Sequence, residues 1–154
     1  MDILNALNDI EKLELKLEYF YKSLCNIFSS DADASALFKK LSEEERSHYD
    51  LVQYQKRLVI KNRNLFQEVT IDVDEIKRII SKVETITGSL PPPSLEKAVK
   101  VSTDFETSAA EYHYRTSMEQ SNPDVATFLK SLGKADNEHS NSLRDLAKSR
   151  GFGI

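Results

Sequence analysis

Two pairs of residues in this chain are spaced to act on one partner: Glu45 with His48, and Asp136 with His139. Each pair is an acid and an imidazole three residues apart. On an α-helix that spacing puts both side chains on one face, within a turn of each other. A carboxylate and an imidazole offered together suit a divalent metal ion of hard to borderline character. One such pair alone is a weak signal, because glutamate is common on helices and histidine often sits on a solvated face. The second pair changes its weight. A shift of 91 positions lays Asp31 on Asn122, Leu41 on Leu132, Glu45 on Asp136 and His48 on His139, and a shift of 92 lays Glu14 on Glu106.

The elements that must position these residues are helices. Residues 3 to 28 form a first helix, capped by Asp2, with Ile3, Leu7, Ile10, Leu17, Tyr21, Leu24 and Phe28 at three-and-four spacing. Glu14 interrupts that apolar line, and Glu18, a turn away, competes for the same role. A buried carboxylate without a partner costs several kcal/mol, so an ion, a pairing or a proton is implied. Ser29-Ser30-Asp31 breaks the chain, and a second helix, capped by Asp31 or Asp33, runs to about Asn62 with the stripe Leu37, Leu41, Glu45, His48, Val52, Gln55, Val59. Lys39, Glu43, Glu44 and Arg46 read as its solvated face. In the connection from 63 to 93, Asp72 and Glu75 resemble a capping box. Ile76, Ile79, Ile80, Val83 and Ile86 then make a short amphipathic helix that Gly88 stops, before the stiff Pro91-Pro92-Pro93.

Ser94 caps a third helix to about Gln120, whose inner face carries small and polar residues: Ser102, Glu106, Ala109 or Ala110, His113 and Thr116. Asn122-Pro123 starts a fourth helix that ends near Arg150, with Gly151 as terminator. Its stripe is Val125, Leu129 or Phe128, Leu132, Asp136, His139, Leu143, Leu146. The two halves therefore repeat a plan of helix with one buried acid, break, then helix with acid-x-x-His, and the acids are 31 and 30 residues apart. The fold expected is all-α: an antiparallel four-helix bundle with a long crossover, carrying an extra short helix, between helices two and three. Four carboxylates and two imidazoles then meet in one core layer, and two divalent cations would offset the repulsion. The competing reading is a polar core layer whose acids are protonated or bonded to Tyr21, His113 and Tyr114.

Composition agrees and excludes several classes. The 154 residues suit one domain, 1–154. With 21 basic and 25 acidic residues the net charge is −4, which argues against a nucleic-acid surface. Charged residues make up 30% of the chain against only four glycines and four prolines, as long helices require. No apolar run approaches a membrane span and no secretory signal is evident, so a cytoplasmic location is expected. The single Cys25 allows no internal disulfide and reads as packing, and no C-x-x-C is present for a rubredoxin-type iron site.

With one Glu on each odd helix and acid-x-x-His on each even one, the chain resembles the ferritin-like di-iron carboxylate proteins, and among them the rubrerythrin-type domains. Leu41 to His48 is similar to that family's second-helix motif, and Glu14 to Tyr21 to its first-helix segment. The resemblance implies two iron ions, though manganese or zinc suits the same ligands. It implies that Glu45 and Asp136 bridge the metals, that Glu14 and His48 complete one site, and that Glu106 and His139 complete the other. Tyr21 and Tyr114 fall where the family has tyrosines bonding the carboxylates. Three departures stand out: Asp136 replaces a glutamate, Ala109 stands where rubrerythrins have a further glutamate, and the rubredoxin tail is absent.

The activity implied is reduction of hydrogen peroxide or dioxygen in oxidative-stress defence, with electrons from a separate rubredoxin-like or flavoprotein donor. The alternatives are a ferroxidase or iron-handling role, and a non-catalytic helical protein derived from a di-iron ancestor. A self-assembled storage shell is not expected, since four residues follow Arg150. A homodimer is expected from the resemblance and from an exposed amphipathic segment at 75 to 87; no nucleic-acid or membrane partner is.

Overall fold

The computed structural model describes residues 2–154. Four long helices account for most of it: α1 (Ile3–Ile27), α2 (Ala32–Lys61), α4 (Leu95–Glu119) and α5 (Pro123–Ser149), with the shorter α3 (Asp74–Ile86) in the crossover between α2 and α4. Three of the long helices start at the residue expected of them, and α2 at the first of its two candidates, Asp31. The side chains of Asp2, Asp31, Ser94 and Asn122 accept the first free backbone N–H groups of α1, α2, α4 and α5. Pro123 occupies the first turn of α5, where its missing N–H costs nothing. At the other end of α5, Gly151 takes φ +71°. The amides of Gly151 and Phe152 turn back onto the carbonyls of Lys148 and Ala147, so the last carbonyls are satisfied.

α1 and α2 form one antiparallel hairpin, α4 and α5 a second, and the inner faces of both bury one apolar core. α4 approaches α5 closely because its inner face carries Ala98, Ser102, Ala109 and Ala110. The hydroxyls of Ser102 and Thr103 donate back to the carbonyls of Ala98 and Val99, so these small polar residues are buried at no hydrogen-bond cost. The start of α2 and the end of α5 are joined by Arg150, which donates from both terminal nitrogens to Asp31 at 2.6 and 2.7 Å.

Two expectations for the crossover are corrected. Asp72 does accept the N–H of Asp74 at 2.9 Å, but Glu75 does not complete a capping box. It pairs with Arg115 of α4, because a charge-assisted bond to a guanidinium is stronger than one to a backbone amide. Nor is the segment at 75 to 87 an exposed surface for dimerisation. Ile76, Ile79, Ile80 and Val83 are buried against α1 and α4 of the same chain. Tyr112 fixes the crossover further by donating its hydroxyl to the carbonyl of Asp72 at 2.6 Å. No helix among the described residues is long and apolar enough to cross a membrane.

Candidate metal centre

Glu14 on α1, Glu45 and His48 on α2, Glu106 on α4, and Asp136 and His139 on α5 all lie at mid-helix. The bundle brings five of the six into two groups. Ligand atoms of Glu14, Glu45 and His48 lie within 4.8 Å of one another, as do those of Glu45, Glu106 and His139. Glu45 belongs to both. Its Oε2 is 3.2 Å from His48 Nδ1 and its Oε1 is 3.0 Å from His139 Nδ1, one oxygen turned to each group. Glu14 Oε2 lies 3.4 Å from His48 Nδ1, and Glu106 Oε2 lies 3.5 Å from His139 Nδ1. Asp136 stands outside both groups: its Oδ2 is 2.7 Å from Nδ1 of His113.

Glu18 is buried too, but it turns towards the surface and pairs with Lys22 at 2.8 Å and Arg46 at 3.5 Å. Tyr21 donates its hydroxyl to Glu106 Oε1. Tyr114, expected to bond a carboxylate in the same way, instead packs its ring over Gly133, and among the described residues no hydrogen bond joins it to an acid. A contact missed in the sequence is Glu44, whose Oε2 is 2.7 Å from His139 Nε2. With Nε2–H held by Glu44, Nδ1 is the nitrogen that faces Glu45 and Glu106 and can exchange its proton for a metal, the orientation a metal-binding histidine needs. Within a run of three glutamates it reads as solvated. The available signal was its place three residues after Leu41 and four before His48, at the flank of the buried stripe.

Electrostatics describe a centre that needs cations. Burial raises the Glu45 carboxyl well above the carboxylate range, reinforced by the charges of Glu106 and Glu14. Burial acts the same way on Glu14, but the Glu45 carboxyl and the His48 imidazole beside it outweigh it and hold that carboxyl down at about 2. Burial would lower both imidazoles. The nearby carboxylates of Glu14 and Glu45 overcome it and push His48 up to about 11, and those of Glu106 and Glu45 push His139 up to about 12. Burial raises Asp136 to about 6 against the pull of His113, and burial with the Glu106 charge raises the Tyr21 hydroxyl.

The donor set fits a pair of metal ions by a test internal to the structure. Glu14 Oε2, Glu45 Oε1, Glu106 Oε2 and His139 Nδ1 are buried without a hydrogen-bond partner, and all belong to the two groups. Buried lone pairs turned on one another are costly unless a cation or a proton lies between them. Carboxylate and imidazole donors suit iron(II), manganese(II) or zinc(II).

The rubrerythrin family model matches residues 12–147, which spans all four bundle helices and every residue named above as a candidate ligand. No curated protein and no solved structure matches the chain individually. With most of its length matched and its acids and histidines gathered at mid-bundle, the chain belongs to the rubrerythrin family.

Proposed function

We propose that this protein is a di-iron carboxylate oxidoreductase that reduces hydrogen peroxide or dioxygen. The observation that carries the reading is the convergence of Glu14, Glu45, Glu106, His48 and His139 with four unpartnered donor atoms among them. Glu14 and His48 would hold one ion, Glu106 and His139 the other, with Glu45 between them and Asp136 beside the second. Two ferrous ions there supply the two electrons that, with two protons, take hydrogen peroxide to two waters.

The remaining roles fall to the chain itself. Glu44 fixes the ring of His139, Tyr21 holds one oxygen of Glu106, and the rings of His48 and His139, stacked 5.3 Å apart, line the centre on the side of α2 and α5. His48 keeps 13% of its side chain exposed and Glu44 keeps 42%, so a small oxidant reaches the centre along this seam. Re-reduction calls for a separate rubredoxin-like or flavoprotein donor. The assembly proposed is a homodimer, for which exposed Tyr19, Leu51, Tyr54 and Ile60 on α1 and α2 offer the apolar surface.

The test is anaerobic loading with iron(II) followed by peroxide. Oxidation of two irons per peroxide, much faster than that of free iron(II), is expected; a rate no faster than free iron overturns the reading. Oxidation by dioxygen but not by peroxide points to the ferroxidase alternative.

A further inference from the structure

We propose that Asp136 is not a second bridging ligand: His113 holds it beside the centre, and Glu45 alone spans the two metal positions. This rests on the two-metal reading above.

His113 lies on α4, two turns beyond Glu106, and is fully buried. Its Nδ1 bonds Asp136 Oδ2 at 2.7 Å, and its Nε2 has no partner. If Asp136 swung to the metals, a buried imidazole would lose the one hydrogen bond it makes and keep two bare nitrogens, an unfavourable exchange. His113 cannot follow. A methyl group at Gly133 of α5 would stand 3.3 Å from His113 Cβ and 3.2 Å from Tyr114 Cδ2, so the two helices are already at closest approach there. Asp136 is one methylene shorter than the three glutamates, and neither group of converging ligand atoms includes it.

The shorter acid and the third histidine thus explain each other. His113 holds an aspartate that would otherwise be free to turn to the metals, and the aspartate satisfies a histidine that would otherwise be buried without any bond. His113 and Asp136 are positioning residues in this scheme.

The experiment is a titration of the full chain with manganese(II), with bound-metal analysis and circular dichroism to confirm folding. Wild type should bind two ions. Asp136→Asn, which keeps the shape and an acceptor for His113, should keep both ions with affinity changed by less than about tenfold, whereas Glu45→Gln should lose an ion or weaken binding by far more. His113→Phe frees Asp136 to engage the metals, so adding Asp136→Asn in that background should cost more than about tenfold, a non-additive pair. Loss of an ion, or of about tenfold or more in affinity, on Asp136→Asn alone overturns the proposal. So does an equal cost of that substitution in both backgrounds. If His113→Phe does not fold, the comparison of Asp136→Asn with Glu45→Gln decides. Wild type binding fewer than two ions sinks the two-metal reading itself, a separate result.

Discussion

Glu44 is next to one candidate ligand in the sequence and bonded to another in space, and that double position makes it testable. Glu44→Ala removes the acceptor that fixes the His139 ring, and affinity at the Glu106 and His139 position should fall by about 10- to 100-fold. Competition with a chromophoric chelator measures it; Glu44→Gln, which keeps an acceptor, should lose less. The histidines predict a pH dependence of fixed sign. His48 and His139, raised to about 11 and about 12, carry protons at neutral pH until a metal displaces them. Metal affinity should therefore rise with pH, and uptake should expel protons. Calorimetry in buffers of different ionisation heat should count about two protons per pair of metals; a count of zero would show that the imidazoles do not become ligands.

At the scale of elements, α4 and α5 meet through Gly133, and the crossover is anchored by α3. Gly133→Ala gains about 1 kcal/mol of helix propensity but forces a methyl against His113 and Tyr114. Overpacking costs about 1–3 kcal/mol, so a net loss should appear in urea denaturation. Ile76 is fully buried under α1 and α4, and Ile76→Ala should cost about 2–5 kcal/mol in the same measurement. The helices were legible because their caps and stripes are local. Asp2, Asp31, Ser94, Asn122 and Gly151 each act within a few residues of themselves. The internal repeat brought Glu14, Glu45, His48, Glu106 and His139 to one level for the same reason, since mid-helix positions in an antiparallel bundle share a height. What stayed hidden depends on pairs distant in the chain: Glu44 on His139, Glu75 on Arg115, and His113 on Asp136. No periodicity within one helix reveals which neighbour a side chain meets on another. The burial of α3 was missed on similar grounds, because an amphipathic pattern gives an apolar face and not what covers it.

For the whole molecule, the centre couples stability to metal and to pH. Without metal, the stabilisation from a histidine of raised pKa is complete below its ordinary value, about 6.5, and is lost as pH rises through its value in the fold, about 11 for His48. Asp136, raised to about 6 from 3.8, contributes with the same sign at lower pH. Metal-free protein should therefore lose melting temperature steadily as pH rises above about 6.5, while metal-loaded protein should not. At neutral pH, metal at a hundred times its dissociation constant should add about 2.7 kcal/mol for each ion bound, and a chelator should remove it. Thermal unfolding with and without chelator at several pH values tests both.

The Arg150 and Asp31 pair has a mechanical consequence. It clips the last turn of α5 to the first turn of α2, residues 119 positions apart, with two charge-assisted bonds. Along the same seam, beyond the centre, the end of α2 and the start of α5 part around a cleft of about 500 Å³ lined by Leu51, Gln55, Leu58 and Phe128. The two repeated halves are thus clipped by an ion pair at one end and joined around a cleft at the other, where Asn122 donates to the Leu65 carbonyl, with the metal positions between. Breathing should grow with distance from the clip, so the amides of Gln55 to Lys61 should exchange with deuterium sooner than those of Ser35 to Leu41. In Arg150→Ala that difference should narrow, as the gripped end loosens.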